Sequence, residues 1–221
     1  MKKLVHILCV LLVCLFATPA FAQTQHRNGN RTVSKIAITI DDGFDMQVYA
    51  DFLDFAKQEN IPFTFFVSGI AIKDFDAYGK LLQRTLDEGH ILGSHSNVHK
   101  AMITWKTEEI IFQLKKWERK VEQALGYHFT PKYIRFPYGV SCHAPWLANY
   151  KQAMQAMQYQ YAIYWDVILS DVEQMFQNIQ NGSIVLLHTT AKDLRIFKEL
   201  YPKLKEKGLQ IVSLDELLQT E

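Results

Sequence analysis

The chain has 221 residues, 24 Lys and Arg against 23 Asp and Glu, and an apolar content of 48%. A charge this close to balance gives no pull toward nucleic acid. The length and apolar content suit one domain with its own core.

Residues 1–22 combine a basic start, an apolar run (LVHILCVLLVCLF) and the small-x-small exit Ala20-Phe21-Ala22. This is the pattern of a cleaved secretory signal, and the run is too short for a membrane span of about 20 apolar residues. The expectation is a secreted or periplasmic protein, cut near Ala22, with no stable membrane anchor. Cleavage would remove Lys2, Lys3, Cys9 and Cys14, leaving 22 basic against 23 acidic side chains and Cys142 as the lone thiol. An exported chain of this kind folds without an intramolecular disulfide and stands on its core. Residues 23–34 (QTQHRNGNRTVS) are polar and aperiodic and read as a flexible lead-in. Residues 35–221 then form the functional domain.

Within that domain, short apolar runs recur as strand candidates: 35–40, 62–67, 90–93, 132–136, 161–165, 183–187 and 209–213. Helical spacing fills the intervals at 48–60, 77–89, 107–126, 144–158, 171–182 and 194–208, several closed by Gly. Strands apolar throughout and alternating with helices predict a parallel sheet covered by helices, either an open doubly wound sheet or a closed barrel. In both, ligands sit at the carboxyl ends of strands.

The chemistry-bearing residues fall at those ends. Asp41-Asp42-Gly43 follows the first strand, His95 and His99 the third, Arg135-Phe136-Pro137-Tyr138-Gly139 closes the fourth, Asp166 and Asp171 follow the fifth, and His188 the sixth. A carboxylate and two imidazoles make a three-ligand metal site with positions left open for water and substrate. Successive residues at a strand end point in different directions, so Asp41 and Asp42 can divide the roles of base and ligand. Taken alone, Asp-Asp-Gly reads equally as a capped turn, Arg135-to-Gly139 as a shaped loop, and His188 as an ordinary strand-end histidine. As a site, Arg135 would hold a catalytic carboxylate, the Tyr138 N–H would face an oxyanion, and His188 would be a general acid with Asp171 fixing its tautomer.

Together these residues resemble the polysaccharide deacetylase family, also called the NodB-homology domain or fourth carbohydrate esterase family. Its five ordered motifs have counterparts in Thr39-Ile40-Asp41-Asp42-Gly43, His95-Ser96-Asn97-Val98-His99, Arg135 to Gly139, Ile168 to Val172, and Leu186-Leu187-His188. The resemblance spans residue 35 to about 218. It implies a distorted (β/α)7 barrel related to the TIM barrel, and a metal-dependent hydrolase that removes N-acetyl groups from a glycan such as peptidoglycan or a chitin-type oligosaccharide. By the same resemblance Asp42, His95 and His99 hold a divalent metal, Zn2+ first, with Co2+, Ni2+ or Fe2+ as substitutes. Asp41 is the base, steadied by Arg135; His188 is the acid, oriented by Asp171; the Tyr138 N–H meets the oxyanion; and Leu186 lines the acetyl-methyl pocket.

The fourth motif departs from the family, with Ile168 where its first Asp would stand and Val172 where its Trp would stand. Asp171 remains, but an aromatic wall of the sugar groove is missing, and Trp165, Tyr164 or Trp146 are the candidates to replace it. Cys142 and His143 border the cleft without an assigned role, and His90 begins a strand at the opposite rim. The same site could act on an O-acetyl ester or a small cyclic amide, and a glycan-binding module without chemistry is the reading from another class. The sequence fixes neither the glycan nor the oligomeric state.

Overall fold

The alternating pattern folds as a parallel α/β sheet. The computed structural model describes residues 23–139, 147–168 and 171–220. Residues 1–22, read above as a signal, lie outside the described residues, as do Cys142, His143 and Trp146.

In chain order the elements are β1 (Thr24–His26), β2 (Lys35–Asp42), α1 (Met46–Glu59), β3 (Thr64–Val67), α2 (Phe75–Asp87), β4 (Ile91–Ser94), α3 (Thr107–Leu125) and β5 (Tyr133–Ile134). A 3-10 turn (Pro137–Gly139) follows, then α4 (Ala148–Ala156), β6 (Tyr161–Ile163), β7 (Val167–Ile168), α5 (Val172–Asn178), β8 (Ile184–His188), α6 (Ala191–Glu206), β9 (Gln210–Ile211) and α7 (Leu214–Leu218). The helices begin where side chains can take up their free N–H groups: Asp45, Asp74, Asp171, Thr190 and Ser213 each accept from the first turn.

The strand order is β1-β6-β5-β4-β3-β2-β8-β7, with β9 added to the start of β2. Every strand pair is parallel. Curvature follows from connectivity. In a flat sheet β6 and β7 would stand about 29 Å apart, six strand spacings, yet residues 164–166 alone join them, a reach of about 14 Å from Ile163 to Val167. The sheet must therefore curl, and it forms the expected distorted barrel.

Seven strand candidates are met by strands, although the run 209–213 contributes only the two residues of β9. β1, β7 and α7 were not anticipated, because elements of two, three and five residues are too short to show a period. The flexible lead-in is corrected for residues 24–31. β1 pairs with β6 from Thr24↔Tyr161 to His26↔Ile163, and Asn28 bridges Ser183. Arg31 then binds the Asp166 carboxylate at 2.6 Å and the Asn181 carbonyl at 2.7 Å. A polar strand satisfies its backbone at a sheet edge without needing apolar periodicity, and this one closes the seam that the short β6–β7 link leaves.

β2 divides the core. Ile36, Ile38 and Ile40 face outward into a cluster with Phe52, Phe65 and Phe197 under the helices. Ala37 faces the barrel interior with Phe66, Tyr133, Ile163 and Ile184, and Leu214 and Leu217 of α7 pack onto that group. Above it the interior turns polar at Thr39 and Asp41, both buried. A further cluster places α3 and α4 around Phe136, Tyr150 and Tyr159.

His90 lies at the amino end of β4, opposite the chemistry. Its Nδ1 accepts the Phe63 N–H at 3.0 Å, and its ring stacks on Phe63. Burial pulls its pKa down from 6.5 to about 4, so the folded state prefers neutral imidazole. Between those values the unfolded chain binds a proton that the folded chain refuses, and stability falls as pH falls from 6.5 toward 4. Urea titrations across that window should show the loss in the native chain and a shallower slope in His90→Gln; equal slopes would assign acid sensitivity elsewhere.

Candidate metal centre and active site

At the end of β2 the chain leaves the extended conformation. Asp42 has φ 79° and Gly43 φ 77°. A Cβ on Gly43 would stand 2.7 Å from Tyr78 Oη, so only Gly fits the turn that Tyr78 clamps through the Gly43 carbonyl. Thr189 sutures the turn from the other side, its N–H donating to the Asp41 carbonyl at 3.2 Å and its Oγ1 accepting the Gly43 N–H at 3.0 Å. The expectation that Asp41 and Asp42 point in different directions holds for an extended strand. Here the left-handed twist at Asp42 brings both carboxylates to one imidazole: His95 Nε2 lies 3.8 Å from Asp41 Oδ2 and 3.6 Å from Asp42 Oδ1.

His95 and His99 come from a loop after β4 and not from a helix face. Ser96 takes φ 60° to turn the chain, and its carbonyl accepts the Gly69 N–H at 2.9 Å. His95 Nδ1 meets the Arg135 carbonyl at 2.7 Å. A carbonyl only accepts, so Nδ1 carries the hydrogen and Nε2 keeps its lone pair for a ligand bond. His99 Nε2 stands 3.3 Å from Asp42 Oδ1.

The donor atoms of Asp42, His95 and His99 all lie within 4.8 Å of one another, close enough to hold one metal ion. The fit to a cation has an independent mark: Asp42 Oδ1 is buried without a hydrogen-bond partner. Burial raises the Asp42 pKa, with the His95 charge opposing and Asp41 adding to the rise. Burial also lowers His95, favouring the neutral form that binds metal. Divalent chemistry suits these donors, and an ion there would resolve both desolvated groups at once.

Arg135, fully buried, holds the other carboxylate. Its Nη1 donates to Asp41 Oδ1 at 2.7 Å and Thr39 Oγ1 at 2.8 Å, its Nε to the Ile163 carbonyl and its Nη2 to the Tyr164 carbonyl. Its guanidinium lies over the rings of Phe66 and Trp165 at 4.4 and 5.5 Å. Burial lowers its pKa and the Asp41 charge works against that. Tyr138 sits in the 3-10 turn at φ 64°, 65% exposed, its ring 4.7 Å from that of His99.

His188 stands in register with Asp41 on the neighbouring strand, and Leu186 with Thr39, so all four line the same inner face. Leu186 is buried there. The structure corrects the partner of His188. Asp171 is exposed and spends its carboxylate on the Gln174 N–H as the N-cap of α5. Asp193 instead meets His188 Nδ1 at 3.1 Å and accepts the His188 backbone N–H at 2.7 Å. The Asp193 hydrogen bond raises the His188 pKa above its ordinary value, with burial opposing. A sequence signal for Asp193 existed: Thr190 caps α6 and Asp193 is the acidic residue three positions on, the pattern of a helix start. Asp166 is withdrawn from the site, accepting from Arg31, Ser183 and the Ile184 N–H. Ile168 is exposed beside Leu186 on β7, and Val172 packs partly buried against the outer core.

A polysaccharide deacetylase family profile matches residues 28–162. The chain is 27% identical over 201 residues to a peptidoglycan-N-acetylglucosamine deacetylase of Bacillus cereus, spanning 87% of this chain and 71% of that protein. It is 26% identical over 223 aligned positions to a chitooligosaccharide deacetylase of Bradyrhizobium, spanning 90% and 97% of the two. A solved peptidoglycan N-acetylglucosamine deacetylase, in complex with 4-naphthalen-1-yl-N-oxidanyl-benzamide, superposes with a TM-score of 0.73 at 26% identity, over 90% of this chain and 94% of that one. With the profile covering more than half its length and the barrel shared, this chain belongs to the polysaccharide deacetylase family.

Proposed function

We propose that this protein is an exported hydrolase that removes N-acetyl groups from a glycan, with N-acetylglucosamine units of peptidoglycan or a chitin-type oligosaccharide as substrate. The observation that carries the reading is the orphaned Asp42 Oδ1 between two imidazoles, with a second carboxylate, Asp41, beside it. Asp42, His95 and His99 would hold a divalent cation, Zn2+ before Co2+, Ni2+ or Fe2+. Such a cation supplies, when bound, a more acidic water and polarisation of the amide carbonyl.

The remaining chemistry belongs to side chains. Asp41 uses Oδ1 to hold Arg135, which leaves Oδ2 to take the proton of the attacking water. The Tyr138 N–H stabilises the oxyanion, a role suited to an exposed turn next to His99. Amide cleavage also needs a proton on the departing nitrogen. His188 delivers it from Nε2, because Asp193 occupies Nδ1; Asp193 takes the part first given to Asp171. Leu186, on the same face between Thr39 and His188, receives the acetyl methyl. Peptidoglycan lies outside the cytoplasmic membrane, and the signal pattern of residues 1–22 supports export to it. Among the described residues no helix is long and apolar enough to cross a membrane.

Zinc titration of the metal-stripped chain should reveal one tight site per chain, weakened about 100-fold or more in Asp42→Ala and His99→Ala; retained affinity in both would refute the triad. Acetate release from N-acetylated chitotetraose should fall about 100-fold to 10,000-fold in Asp41→Asn with zinc affinity kept. A variant with near-native turnover would remove Asp41 as the base. Activity that needs protonated His188 is lost as pH rises through its elevated pKa. Asp193→Asn should therefore move the alkaline limb of the rate profile to lower pH, whereas Asp171→Asn should leave it in place. The opposite result would restore Asp171 to the role.

A further inference from the structure

Val172, where the family resemblance placed an aromatic side chain, packs against the outer core and brings no ring to the site. The expected substitutes do not offer one: Tyr164 is 2% exposed, and Trp165 lies under Arg135 with its ring edge against Gly139. Trp146 lies outside the described residues. Four rings are counted among the exposed large apolar side chains of the described residues: Phe44, Phe112, Tyr127 and Tyr138. Two of them flank a metal ligand. Phe44 is 51% exposed and meets His99 edge-on at 6.0 Å and 80°, and Tyr138 meets the same imidazole at 4.7 Å.

The position of Phe44 is locally anomalous. It precedes the N-cap Asp45 of α1, where an apolar side chain ordinarily packs against the fourth helical residue, here Tyr49. Tyr49 is fully buried and stacks on Phe65 at 4.3 Å and 8° instead, and Phe44 stays at the mouth of the site. With the exposed Tyr138 ring on the other side of the same imidazole, Phe44 forms a two-ring apolar surface at that mouth.

We propose that Phe44, together with the Tyr138 ring, is the aromatic contact for the pyranose ring that carries the scissile acetamido group. This rests on the deacetylase reading above. In that substrate the carbonyl carbon is joined to the sugar ring through a single nitrogen. A carbonyl held beside Asp42 therefore brings the ring against whatever apolar surface borders His99. The C–H face of a pyranose covers an aromatic ring well, and the ring loses little entropy in the contact.

The test is calorimetric titration of the metal-free chain with fully N-acetylated chitotetraose, which takes metal contacts out of the comparison. Phe44→Ala should weaken binding about fivefold to tenfold, Phe44→Trp should retain it, and Phe112→Ala, an equally exposed ring on α3, should match the native chain. In the zinc-loaded enzyme Phe44→Ala should raise KM for the same tetramer by a similar factor, with a smaller change in kcat. Binding by Phe44→Ala within about twofold of native, or no binding by the native chain, overturns the contact. Native binding that depends on Phe44 without any acetate release would instead sink the deacetylase reading and leave the contact standing.

Discussion

One buried cation organises this active site. Arg135 is removed from water entirely, a costly placement unless every donor is answered. Four of its five N–H donors go to Asp41, Thr39 and the carbonyls of Ile163 and Tyr164, with the rings of Phe66 and Trp165 against the guanidinium. The same residue's carbonyl fixes the His95 tautomer. A single residue at the end of β5 thus ties together β2, β6 and the loop after β4, and sets the geometry of both Asp41 and His95. Loss of one member of such a pair leaves an uncompensated charge, which costs about 3–5 kcal/mol in buried settings.

Around that anchor the site concentrates like charge. Asp41 and Asp42 are adjacent and share one desolvated concavity; burial raises the Asp42 pKa, and the Asp41 charge adds to the rise. Arg135 offsets the first carboxylate. The second is left with two imidazoles and an oxygen that bonds to nothing. Two imidazoles and a desolvated carboxylate oxygen in this state form a donor set that could hold a metal ion. His188, on the next strand, is biased toward its protonated form by the Asp193 hydrogen bond, whereas burial biases His95 toward the neutral form. The two imidazoles are thereby pushed in opposite directions, the kind of separation that acid–base division of labour requires.

The barrel makes the convergence possible. A short link from β6 to β7 forces the sheet to curl, and β1 with Arg31 and Asp166 closes the seam from outside. Helix starts do double duty. The acidic residue in the first turn of α6 positions His188, and the turn that leads into α1 carries Asp42, Gly43 and Phe44 in succession.

Much of this was legible in the sequence. The strands were readable because parallel strands buried on both faces are continuous apolar runs, and the site residues were readable because each follows such a run and ligands gather at strand ends. That much put Asp41, Asp42, His95 and His99 at one rim, and the family resemblance then singled out Asp42 as the expected ligand. β1 was not legible, since an edge strand needs only backbone partners. The partner of His188 was decided by the path of the chain after β7: Asp171 is used up in starting α5, whereas Asp193 is returned to His188 by the tight turn into α6. Convergence of the two aspartates required the positive φ at Asp42, which no residue pattern announces. Sequence determined which chemical groups the protein has and which rim they share, because local periodicity is written in neighbouring residues. The tertiary structure alone decided which groups touch, because contact depends on backbone turns and on competition among carboxylates for the same donors.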